Sequence, residues 1–184
     1  MNSALMHLPM AIAASLLLAL PSSAGAGQPA AGSDPCAGFK WDVTRERALF
    51  SGPAAPLDAA TRGSAPALAM PGRLYRLQLA PTAKIVFPAA PGRPAPANTY
   101  AGVLRLAVPG PGFYRIAVDA PLWIDLLADG QLLPPTDYEG QRDCSGPRKI
   151  VEFDLEGAHR WTLQLSAAAQ ANVRLAIVAA SVPP

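Results

Sequence analysis

Histidine is almost absent from this chain: there are two among 184 residues, His7 and His159. Cysteine is equally scarce, with only Cys36 and Cys144. Three or four nitrogen and sulfur ligands of the kind zinc or copper require cannot be assembled from that inventory. A Ser-His-Asp triad would have to draw on His159, in the turn sequence "EGAHRW", and no G-x-S-x-G elbow occurs to present a serine. No cofactor is expected, and the chain does not read as an enzyme. Charged residues make up 15% and the net charge is +2, with cations scattered among acids. That is too weak and dispersed to track phosphates, so nucleic acid is excluded as a partner. Long amphipathic helices are missing too, because 21 prolines and 15 glycines interrupt the chain.

One apolar run is present. Residues 8–20, "LPMAIAASLLLAL", have the length of a signal-peptide core and are short for a bilayer span. Ala24-Gly25-Ala26 supplies the small-x-small pattern of a cleavage site, although no Lys or Arg precedes the run. Residues 1–26 are therefore expected to be a signal peptide, against the alternative of a buried N-terminal helix. Residues 27–35, "GQPAAGSDP", read as a flexible tether, and 36–180 as a single domain. About 158 residues then remain, enough for one core. The 51% hydrophobic content is inflated by alanine. No second run reaches membrane length, so the mature chain is expected to be periplasmic or secreted with no membrane span.

Export bears on the cysteines. Thiols oxidise outside the cytosol, and an even count points to a Cys36–Cys144 disulfide. Closing a loop of that span would stabilise the fold by roughly 4 to 5 kcal/mol on a chain-entropy model. The alternative is a reactive thiol at Cys144, activated by Arg142, Arg148 or Lys149.

Alternation of period two recurs between turn residues. "RLYRLQL" puts Tyr75, Leu77 and Leu79 on one face, and "AKIVF" lines up Ala83, Ile85 and Phe87. "VLRLAV" gives Leu104, Leu106 and Val108, and "FYRIAV" gives Tyr114, Ile116 and Val118. "LWIDLL" sets Leu122, Ile124 and Leu126 against Trp123, Asp125 and Leu127. "KIVEFDL", "RWTLQL" and "NVRLAIV" complete the series with Val151, Phe153, Leu155, Trp161, Leu163, Leu165, Val173, Leu175 and Ile177. Eight or nine short strands, with at most a brief helix at "TRERALF", describe an all-β antiparallel sandwich, jelly-roll-like, with a closed barrel as the alternative. The proline-rich "FPAAPGRPAPAN" cannot pair internally and is expected to run extended over the surface.

Within residues 100–178, "GFYRIAVDAPLWIDLLADGQLL" followed by "RKIVEFDLEGAHRWTLQLSAAAQANVRLAIV" resembles the bacterial pre-peptidase C-terminal type of jelly-roll domain. The shared motifs are a glycine-aromatic strand, a W-x-D strand, a D-G turn and a glycine turn before the last strands. The whole chain also resembles small exported proteobacterial proteins with one cysteine before "FKW" and a second before "RK". The first resemblance implies an accessory module that binds a ligand or partner. Neither supplies catalytic residues.

The stretch 134–147 holds the candidate site. Tyr138, Arg142, Arg148 and Lys149 flank Cys144, and three cations with an aromatic on one cross-linked loop suit an anion or an acidic patch, against the alternative of a charged rim that keeps this end of the sandwich in solution. Asp137, Glu139 and Asp143 offer oxygens of the kind calcium takes, in a spacing unlike an EF-hand. Two functions follow as expectations: a non-catalytic exported sandwich binding a protein or envelope component, or a carbohydrate- or calcium-binding domain, conceivably hydrolytic, that uses this loop.

Overall fold

The computed structural model describes residues 34–180. The expected signal peptide (1–26) and residues 27–33 of the expected tether lie outside the described residues. Twelve strands are present among them. The N-terminal part carries β1 (Ala55–Asp58), β2 (Leu68–Ala69), β3 (Leu74–Gln78) and β4 (Ala80–Pro81). The middle carries β5 (Tyr100–Leu106), β6 (Gly112–Val118), β7 (Trp123–Ala128) and β8 (Gln131–Leu133). The last four are β9 (Asp137–Gly140), β10 (Lys149–Leu155), β11 (Trp161–Ala168) and β12 (Asn172–Ala179). One helix, α1 (Thr44–Phe50), covers the "TRERALF" segment.

The strands form two sheets, ordered β1-β3-β12-β6-β10-β9 and β2-β5-β11-β7-β8, with β4 beside β5. The chain is an all-β sandwich. Eight of the strands, β3-β12-β6-β10 over β5-β11-β7-β8, are paired antiparallel throughout. This is the strand order of a jelly roll, in which the chain passes repeatedly between the two layers.

The alternating residues explain why the layers close. Tyr75, Leu77, Leu79, Leu104, Leu106, Tyr114, Ile116 and Val118 are buried in one continuous core with the corresponding residues of β7, β10, β11 and β12. Because successive side chains on a strand point to opposite faces, these residues all meet between the sheets. The Asp129-Gly130 turn, with φ of 49° and 89°, joins β7 to β8 as a two-residue hairpin.

Three expectations are corrected. Strands outnumber the eight or nine expected, because β1, β2, β4, β8 and β9 have two to four residues each and two of them contain proline, too short to show alternation. The sheets are also mixed: β1 runs parallel to β3, and β2 parallel to β5. Long connections from β1 to β3 and from β2 to β5 supply the crossovers that parallel pairing needs. Nor is "AKIVF" a strand. Thr82–Lys84 form a 3-10 turn, with Thr82 Oγ1 donating to Thr99 O at 2.9 Å. Ile85 and Phe87 then pack flat on Ala101 and Val103.

Both outer faces are covered. On the first sheet, Leu74, Ala117, Ile150 and Ala176 lie under Phe39, Val43 and Phe50. Cys36 and Cys144 are buried in the same cluster and joined by a disulfide, with Cα atoms 4.7 Å apart. On the second sheet, the proline-rich segment 88–98 crosses as a strap. Its Ala89 N–H donates to Gln164 Oε1 at 3.0 Å and its Gly92 N–H to Asp125 Oδ2 at 3.0 Å.

Candidate functional site

A cleft of about 870 Å³ opens beside the strap. Three parts of the chain supply most of its wall. The strap contributes Arg93, Pro94 and Pro96; the start of β7 contributes Leu122, Trp123 and Asp125; the β8–β10 region contributes Leu133, Pro135, Tyr138, Glu139, Arg142, Arg148 and Lys149. All four residues singled out from the sequence, Tyr138, Arg142, Arg148 and Lys149, therefore line one cavity.

The disulfide loop owes its shape to several ties. Gln141 N donates to Arg148 O at 2.9 Å, closing the loop, and Arg148 N donates to Val118 O at 2.8 Å. Gln141 Nε2 reaches Gly38 O at 2.7 Å, beside the bond to Cys36. Arg142 and Arg148 are thus mounted on a cross-linked hairpin whose other side is held by the N-terminal segment. The stretch 134–147 is not loop throughout, since Asp137–Gly140 form β9 on the sheet edge.

The charges divide unevenly. Two acids of this region turn to the N-terminal segment: Asp137 pairs with Lys40 Nζ, and Glu139 Oε2 accepts from Lys40 N at 2.7 Å, while Asp143 is exposed on the disulfide loop. The hydrogen bond from Lys40, followed by that from the Tyr138 N–H, holds the Asp137 carboxyl below the usual range. Asp125 accepts from Gly92 N and, through Oδ1, from Trp123 Nε1 at 2.8 Å. The cations are different. Among the described residues, no carboxylate lies within ion-pair distance of Arg93, Arg142 or Arg148, and none of the three guanidiniums donates a hydrogen bond. Lys149 Nζ donates to Leu122 O at 2.8 Å and stands 5.1 Å over the Trp123 ring. Burial pushes its pKa down, and the nearby Arg93 adds to that, with Asp125 opposing. The cleft therefore gathers four cations against the two carboxylates of Asp125 and Glu139, and among the described residues its three arginines have no ion-pair partner.

Tyr138 is 68% exposed, the most exposed of the large apolar side chains. Across the cleft, Ala167 holds φ of 57°, a left-handed conformation costly for a residue with a side chain, at a β-bulge between Leu165 and Ala168. Bulges and strained backbone of this kind concentrate beside binding sites.

The acids considered for calcium do not converge. Asp137 and Glu139 turn to Lys40, and among the described residues no group of three His, Cys, Asp or Glu could hold a metal ion. His159 lies beyond the other end of β7, with Nδ1 2.8 Å from Asp129 Oδ2. Cys144 is in the disulfide and is no free thiol. Arg93, Trp123 and Asp125 were not legible as site residues, since the strap that joins them to the loop is distant in sequence.

No family model, curated protein or solved structure matches the chain.

Proposed function

We propose that this protein is an exported, non-catalytic jelly-roll module that binds a protein or envelope component in the cleft between the strap and the disulfide loop. The observation that carries the reading is the set of Arg93, Arg142 and Arg148, unpaired among the described residues, facing one cleft with Lys149 and exposed Tyr138. Arginine and an exposed aromatic are the side chains that anchor partners at low entropic cost. Export is supported by the apolar run at 8–20 and by the disulfide, a bond that persists in oxidising compartments. The jelly-roll strand order supports kinship with the accessory domains that residues 100–178 resemble, at the level of fold alone. A binding role suits the lining, where Asp125 has both oxygens engaged and Glu139 one of its two.

The test is co-sedimentation of the purified protein with isolated cell envelopes over a range of salt. Retention that weakens with salt and disappears in Arg142→Glu/Arg148→Glu supports the reading, because screening and charge reversal act on the same contacts. Equal retention of that variant contradicts it.

A further inference from the structure

We infer that the ligand is an acidic saccharide, whose carboxylate or phosphoryl group is held by Arg142, Arg148 and Arg93 while a sugar ring rests on Tyr138; this deepens the binding role proposed above and depends on it. Four features of the cleft select that chemistry.

Charge comes first. Three guanidiniums and one ammonium line the cavity, and the structure spends no described acid on the three arginines. A planar guanidinium pairs bidentately with a carboxylate or phosphoryl oxygen pair. An incoming anion would also relieve the repulsion between Arg93 and Lys149.

Size comes second. A cavity of about 870 Å³ falls in the range that encloses a discrete small ligand or the end of a polymer.

Third, the walls offer little main chain to an extended peptide. Pro94, Pro96, Pro121 and Pro135 have no N–H, and the Tyr138 N–H on edge strand β9 is already taken by Asp137 Oδ1 at 2.8 Å. Strand addition, the usual way of reading a peptide at a sheet edge, loses that donor there.

Fourth, Glu139 lines the same cleft and engages only its Oε2, with Lys40 N. Its other oxygen accepts a hydrogen bond from a hydroxyl, a donor that a saccharide carries on every ring and the acidic side chains of a peptide lack. A ligand that combines an anionic group, hydroxyl donors and an apolar ring face fits all of these contacts. The exposed Tyr138 ring, amphipathic and rigid, is the platform for that face.

The test is calorimetric titration of the full mature protein, disulfide intact, with four probes: trigalacturonate, its methyl ester, glucose 6-phosphate and hexaglutamate. Binding of trigalacturonate or glucose 6-phosphate is expected, with the methyl ester silent, and which acid binds identifies the anionic group. Arg148→Ala and Tyr138→Ala should each weaken the bound probe about ten-fold. Arg142→Ala, at an exposed position, gives a third variant expected to fold like the parent. The inference is overturned if neither acid binds, if the ester binds as well as the acid, if hexaglutamate binds more tightly, or if the variants bind like the parent. Should the probes fail while envelope retention still depends on Arg142 and Arg148, the saccharide is wrong and the binding role stands. Failure of both removes the two together.

Discussion

The Gly92 N–H donates to Asp125 Oδ2 at 3.0 Å, while the other oxygen of the same carboxylate takes the Trp123 Nε1–H at 2.8 Å. One buried side chain thereby holds the proline strap against β7 and fixes an aromatic wall of the cleft. Only glycine fits at position 92: a Cβ there would lie 2.8 Å from Asp125 Oδ1 and 3.1 Å from Trp123 Nε1. Gly92→Ala should push the strap away, and Asp125→Ala should leave two donors unpaired, destabilising by about 1–3 kcal/mol. Amide hydrogen exchange is the check. Residues 89–97 should lose protection in both variants while β11 and β12 keep theirs.

Removing the Cys36–Cys144 bond should lower the melting temperature strongly, since a native disulfide of a small domain is worth about 2–5 kcal/mol. At about 2–4 °C per kcal/mol for a chain of this size, the fall should be about 4 °C or more. Thermal melts with and without reductant, and of Cys36→Ala/Cys144→Ala, measure it. A negligible change would mean that the contacts from Gly38, Lys40 and Phe39 alone seat the loop.

Glu46 in α1 is 1% exposed, and neither carboxylate oxygen has a hydrogen-bond partner; Arg115 Nη1 is 3.6 Å away. Burial raises its pKa above the usual 4.5, with Arg115 opposing. For a group raised in the folded state, the stabilising contribution is complete below the unfolded pKa and is lost as pH climbs through the folded one. Glu46→Gln should therefore melt higher than the parent at pH 7, with the difference closing toward pH 4. Arg115 keeps Glu152 at 2.8 Å in the variant. A lower melting temperature at pH 7 would show that the long Arg115 contact outweighs burial.

Lys149 carries its charge against burial and against Arg93. Lys149→Met retains most of the stem that packs over Trp123 and removes the charge. Its melting temperature should equal or exceed that of the parent, while binding of trigalacturonate or of envelopes weakens. A loss of stability would assign the lysine to the fold through its bond to Leu122 O.

The core was legible in the sequence because a β-strand writes its inner face as every second residue, and Tyr75, Ile116, Phe153, Leu163 and Leu175 all meet between the sheets. Strands of two to four residues write no such pattern, so Ala55–Asp58 and Leu68–Ala69, with their parallel pairing, were hidden. Half of the candidate site was legible for a local reason: Tyr138, Arg142, Arg148 and Lys149 sit near one cysteine, and a disulfide gives neighbours in sequence a fixed shape. Arg93 was hidden because its place depends on the Gly92–Asp125 contact, which spans 33 positions and leaves no periodic trace. Glu46 was hidden for a related reason, since its burial follows from α1 docking on the first sheet rather than from any pattern within the helix.

The central claim is that binding happens in the cleft between the strap and the disulfide loop. Hydrogen exchange of the mature protein, with and without solubilised envelope material, measures it most directly. Slowed exchange confined to peptides covering 92–96, 121–125 and 138–149 is the predicted result. Protection elsewhere, on the Trp41 side of the first sheet or around the Asp129–His159 pair, with these peptides unchanged, would contradict it.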